Sequence, residues 1–159
     1  MSSHILTRSQ EIGLPREQVF RFFADAANLE AITPPELRFR ILTPQPIEVQ
    51  RGTLIDYRLQ LYGLPIVWRT EITEWSPPVS FVDTQLRGPY AEWVHTHRFE
   101  AVSDSATLMT DEVRYRLPFG FLGNLGHFIV RRQLERIFDY RARVVNELLQ
   151  QANRKDTSG

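Results

Sequence analysis

Hydrophobic and polar residues follow three successive patterns along the chain, and each predicts a different kind of element. The opening "SSHILTRSQEIG" reads as a short extended segment ended by Gly13. In "LPREQVFRFFADAANLEAI", Pro15 suits a first helical turn and Val19, Phe22 and Phe23 make an apolar face. Leu29 and Ile32 continue into a second short helix, which Pro34 and Pro35 end. From there to about residue 117, short runs rich in β-branched and aromatic residues are broken by "PQP", "RG", "YGLP", "SPP", "RGP" and "SDS". The runs predict six strands over residues 37 to 117, antiparallel where short turns join them. After "PFGFLGNLG" the period changes: Leu134, Ile137, Phe138, Val144, Val145, Leu148 and Leu149 recur at helical spacing. They predict an amphipathic helix from about 125 to 151, so that residues 1–151 form one domain and 152–159 a flexible tail.

This order implies an architecture. An antiparallel meander with one apolar face must cover that face, and the C-terminal helix is the element long enough to do so. The expected fold is α+β: a strand, two short helices, a six-stranded antiparallel meander and a long helix on the concave face of a curled sheet. Side chains fill such an interior incompletely, which leaves a cavity suited to a ligand.

Composition narrows the partners. The 159 residues carry 19 basic and 19 acidic side chains with no long block of either sign, so nucleic acid is not expected as a partner. No apolar stretch approaches the roughly 20 residues that span a bilayer. The absence of cysteine, and an N-terminus without the apolar run of a signal peptide, lead to the expectation of a cytoplasmic protein. Oligomeric state stays open between monomer and homodimer.

The stretches "LPREQVFRFFADAANLEAITPP", "GTLIDYRLQLYGLPIVWRTEITEW", "GPYAEWVHTHRFE" and "TDEVRYRLPFG", in this order, resemble the START-like (SRPBCC) helix-grip superfamily. Within it the chain is most similar to the bacterial polyketide cyclase/dehydrase-like ligand-binding branch, over residues 3 to about 150. The resemblance implies the helix-grip fold and an internal ligand cavity. It leaves function open, because that superfamily includes lipid-transfer proteins, receptors, cyclases, co-chaperone-like proteins and oxygenase domains.

Candidate chemistry centres on "AEWVHTHRFEA". Strand alternation puts Trp93, His95, His97 and Phe99 on one face, assigned to the concave side because it is the more aromatic. The His-x-His pair is open to three roles: metal ligation, acid–base chemistry, or lining a pocket. Cupin metal sites also place a glycine, His-x-His and a glutamate in series. Here the gap from Gly88 to His95 is one residue longer, the gap from His97 to Glu100 is shorter, and Glu100 falls on the other face. With no third inward ligand at a convincing spacing, no metal and no other cofactor is expected.

Two acids share the inward alternation, Asp111 with Met109, Val113 and Tyr115, and Asp83 with Phe81. If the "SDS" turn pairs Phe99 with Met109, His97 meets Asp111 across adjacent strands. Such a pair serves acid–base catalysis or simply pins the sheet. On the helix, Arg141 falls in the middle of the apolar stripe, where it would hold an inward carboxylate or an acidic ligand, or else reach solvent. The reading is a domain that binds a hydrophobic or aromatic small molecule, lipid- or polyketide-like. Its expected lining is Tyr57, Trp68, Asp83, Trp93, His95, His97, Asp111, Tyr115, Phe121 and Arg141, with "PFGFLGNLG" as a lid at the cavity mouth or a hydrophobic plug over the helix end. The alternatives are a cyclase/dehydratase using His95 or His97 with Asp111, and a co-chaperone-like interaction domain.

Overall fold

The computed structural model describes residues 2–120, 123 and 125–158. Strand β1 (His4–Ile12) leads into helix α1 (Arg16–Ala24) and two short 3-10 helices, Ala26–Leu29 and Pro35–Leu37. Six strands follow: β2 (Arg40–Ile41), β3 (Leu54–Leu61), β4 (Leu64–Ser76), β5 (Ser80–Arg87), β6 (Glu92–Ser103) and β7 (Ala106–Arg116). Helix α2 (His127–Asp156) completes the fold. The strands form one seven-stranded sheet in the order β1-β7-β6-β5-β4-β3-β2, antiparallel at every junction. The sheet is curved and the long helix grips its concave face, as the pattern predicts.

Local chemistry explains the connections. Tyr62 and Gly63 link β3 to β4 with φ of 51° and 77°. Two left-handed residues make the primed turn that matches strand twist, and glycine adopts this conformation at little cost. Register shifts between Arg69 and Thr70 and between Ile72 and Glu74 interrupt the β4–β5 ladder. Such bulges add local twist, here midway across the sheet where it bends round the helix.

Three details differ from the sequence expectation. The second short helix is a pair of 3-10 turns, and Pro35 opens the later one rather than ending the helix, as suits proline at a first turn. In α1 the fully buried residues are Val19 and Phe20, while Phe22 and Phe23 are only partly buried. Phe20 turns toward Trp75, Phe81 and Phe99, which fill its side of the core. Helix α2 continues to Asp156 rather than stopping near 151, because "QANRKD" contains no breaker and places Arg154 and Lys155 at the negative end of the helix dipole.

The core has two parts strung along α2. Leu134 and Phe138 pack with Trp68, Trp93, Val113 and Tyr115; Val145 and Leu149 pack with Phe20, Phe81, Phe99 and Met109. Between the two lies the polar cluster described next. No helix among the described residues is long and apolar enough to cross a membrane.

Candidate functional site

Alternation in the middle strands aims polar side chains inward at adjacent positions. In β6, Trp93, His95, His97 and Phe99 are buried, and in β7 Thr107, Met109, Asp111, Val113 and Tyr115 are. The register pairs Phe99 with Met109 and His97 with Asp111, while on the other side of β6 His95 lies opposite Asp83 of β5. Two imidazoles therefore sit between two carboxylates.

The contacts run diagonally as well as straight across. His95 Nε2–H donates to Asp111 Oδ1 at 2.7 Å, and His97 Nε2–H donates to Asp83 Oδ2 at 2.7 Å. His97 Nδ1 lies 3.2 Å from Asp111 Oδ1 but makes no hydrogen bond, and His95 Nδ1 lies 3.8 Å from Asp83 Oδ2. Each carboxylate thus faces one nitrogen from each ring. Phe81 stacks on His97 at 4.2 Å and Phe138 meets His95 edge-on at 5.5 Å, holding both rings from their faces. The residues are enclosed: His95 and His97 are each 5% exposed and Asp111 7%.

Burial and pairing compete in setting the charges. For Asp111, burial pushes the pKa up, but hydrogen bonds and charge from His95 and His97 outweigh it and hold the carboxyl below its usual range. Asp83 is also lowered: burial raises it, and His95, His97 and Arg141 overcome this. His95 is pushed down, by burial first and then by His97. His97 is raised; burial lowers it, and its contacts with Asp111 and Asp83 win. The shared carboxylates thus favour the protonated form of His97 more than that of His95, where burial and the neighbouring ring win.

A cavity of about 150 Å³ opens between the sheet and α2 beside this cluster. Asp83, His95, His97 and Arg141 line it, together with Tyr57, Trp68 and Trp93. The remaining wall is largely apolar, with Ile55, Leu59, Ile72, Leu134 and Phe138 among its residues. Arg141 lies over the Phe138 ring at 5.1 Å and forms no ion pair with Asp83 or Asp111 among the described residues. Its Nε and the indole Nε1 of Trp68 are buried without hydrogen-bond partners among the described residues.

Several sequence assignments are placed differently. Asp111 stands behind the histidines and lines a second, smaller pocket with Arg8, Asp139 and Arg141 rather than the main cavity. Tyr115 does not face the cavity; it is fully buried, and its hydroxyl meets His127 Nε2 at 2.9 Å. Phe121, and with it Leu122 and Asn124 of the expected lid, lie outside the described residues. Phe119 of the same stretch is 83% exposed. Asp83, read as inward in the sequence, has a ligand atom within 4.8 Å of one on each histidine. It reaches them from the neighbouring strand, a proximity that spacing along one strand does not reveal.

Sequence reading missed Tyr90 and Thr70 as lining residues. Thr70 is legible as an inward position by alternation with Trp68, whereas Tyr90 belongs to a loop and has no periodic signal.

The comparisons agree with this architecture. A family model described as polyketide cyclase / dehydrase and lipid transport matches residues 12–139. The structure is similar to that of the ZhuI aromatase/cyclase from Streptomyces sp. R1128, with a TM-score of 0.75, 15% identity, and 94% of each chain covered. It is also similar to protein TTHA0849 from Thermus thermophilus, with a TM-score of 0.72, 17% identity, and 94% of this chain and 99% of that one covered. At these identities the likeness shows the fold. A nucleoside-diphosphate sugar epimerase from Corynebacterium glutamicum shares 28% identity with a TM-score of 0.68. That match covers 96% of this chain but 30% of the epimerase. No curated protein matches the sequence.

Proposed function

The chain belongs to the polyketide cyclase/dehydrase and lipid transport family, and from that premise we propose that it binds a mainly apolar, ring-bearing small molecule with an acceptor oxygen at one end. The observation that carries this reading is a cavity with a largely apolar wall, lined by two residues with buried donors that have no partner among the described residues, Trp68 Nε1–H and Arg141 Nε–H. A buried donor without a partner costs about 1–3 kcal/mol. A ligand carbonyl, phenolate or carboxylate would relieve that cost while its ring occupies the aromatic wall.

Volume sets the ligand's scale. A space of about 150 Å³ is the size that holds a benzene ring, and pockets for drug-sized ligands run from about 300 Å³ upward. A single-ring ligand fits this conformation, and a fused polyketide requires the walls to move. The test is native mass spectrometry of tag-free protein for a co-purified ligand, followed by titration of stripped protein with benzoate and toluene, read by tryptophan fluorescence. Saturable 1:1 binding of benzoate, tighter than that of toluene, supports the reading. Absence of a co-purified ligand together with no response to either probe contradicts it.

A second reading, catalysis of a cyclisation or dehydration, is favoured by one specific contact. His97 Nε2–H and Asp83 Oδ2 lie at the cavity wall and could exchange a proton with a bound ketone, while Asp111 holds the imidazoles from behind. Turnover of a hydroxy-ketone or poly-β-keto substrate that is lost in His97→Gln distinguishes this reading from binding alone.

A further inference from the structure

The diagonal pattern of contacts brings three donor atoms together: Asp83 Oδ2 lies 2.7 Å from His97 Nε2 and 3.8 Å from His95 Nδ1. Potential ligand atoms of these three residues lie within 4.8 Å of one another, and all three residues line the cavity. On the opposite side both imidazoles turn their other nitrogens toward one oxygen, Asp111 Oδ1, at 2.7 and 3.2 Å. We propose that Asp83, His95 and His97 form a three-ligand site for a divalent first-row transition ion, open to the cavity, with Asp111 holding the two imidazoles from behind.

Four features carry this. Two imidazoles and a carboxylate are a donor set suited to zinc, iron(II) or cobalt(II), and three protein ligands leave positions for an exogenous oxygen. Metal-binding imidazoles generally donate their second N–H to a carboxylate, the arrangement Asp111 offers to both rings. The buried His97 Nδ1 has no hydrogen-bond partner among the described residues when the ring uses Nε2–H toward Asp83. Ligation through Nε2 would put the proton on Nδ1, facing Asp111. Finally, Phe81 and Phe138 form an apolar shell against the rings, which limits their movement.

The ion would displace the proton shared by His97 and Asp83. Bond lengths of about 2.0–2.2 Å place cis ligands roughly 3 Å apart, so the 2.7 Å contact opens by a few tenths of an ångström. Two carboxylates then balance the charge of the ion. Arg141, a cation lining the same cavity, is placed to meet an anionic ligand oxygen bound to the metal. The site does not depend on which organic ligand the cavity takes.

The experiment is a Co²⁺ titration of tag-free, EDTA-treated protein, followed by visible absorption. The expected result is one ion per chain with ligand-field bands, abolished in Asp83→Asn and weakened about 10–100-fold in Asp111→Asn. A wild-type protein that gives no bands at millimolar Co²⁺, or a folded Asp83→Asn that binds as tightly, overturns the proposal. Should Asp83→Asn fail to fold, paramagnetic broadening in the wild type decides. Loss of the His95 and His97 signals first supports the site, and broadening centred elsewhere overturns it.

Discussion

Arg141 stands between Phe138 and Val145 along α2 and lines the cavity, with no carboxylate paired to it among the described residues. Its main described interaction is with the Phe138 face, worth about 0.5–1 kcal/mol at a partly exposed position. Arg141→Met removes a buried unpartnered donor along with this contact, so it is expected to keep or raise stability and to weaken benzoate binding at least tenfold, measured by thermal melting and fluorescence titration. A loss of about 3–5 kcal/mol would mean instead that it compensates a buried acid.

The histidines give a pH dependence with a definite sign. His97 has a folded pKa above its unfolded value of about 6.5, so its stabilising contribution is complete below that value and is lost as pH rises through the folded pKa. In EDTA, the unfolding midpoint is expected to fall over this range above pH 6.5, and His97→Gln should flatten the slope. A midpoint equally steep in that variant would assign the effect to other groups. Asp111 titrates with the opposite sense: its contribution is present above about pH 3.8 and is lost on acidification.

In the link from β7 to α2, Gly123 packs closely against backbone. A Cβ on Gly123 would stand 2.2 Å from the Pro118 carbonyl oxygen and 3.0 Å from Leu117 Cβ. Leu117 is buried, so backbone must move to make room. Gly123→Ala is expected to cost about 1–3 kcal/mol, as overpacking does, and an unchanged melting midpoint would contradict the close approach. Strand β6 was legible in advance because its period of two is unbroken from Trp93 to Phe99, and the turn at "SDS" fixed the Phe99–Met109 pairing and hence His97 opposite Asp111. Helix α2 was legible from the spacing of Leu134, Phe138 and Val145. Its end was not, because fraying and continuation differ there only by the weak propensities of Gln, Ala, Arg and Lys.

At the scale of the whole molecule, sequence reached the sheet and the helix that grips it because both follow from periodic burial. The arrangement inside was less accessible. Which carboxylate meets which imidazole depends on diagonal distances across three strands, so Asp83 took the place nearest His97 Nε2 while Asp111 moved behind. Tyr115 shared the inward alternation of the cavity residues, yet the curl of the sheet turned it into the core beside Trp93 and Val113. Alternation reports a face; it does not say which part of that face is filled.

The central claim is that the space between sheet and helix receives the ring of a small molecule whose oxygen meets the polar end. Amide chemical-shift mapping of tag-free protein during a benzoate titration tests it most directly. The account predicts saturable shifts at one benzoate per chain, concentrated at Thr70, Asp83, Tyr90, His95 and His97 and on the cavity face of α2 near Phe138 and Arg141. Shifts confined to the convex face of the sheet around Asp56, Val67 and Arg69, or no shifts at millimolar benzoate, would contradict it.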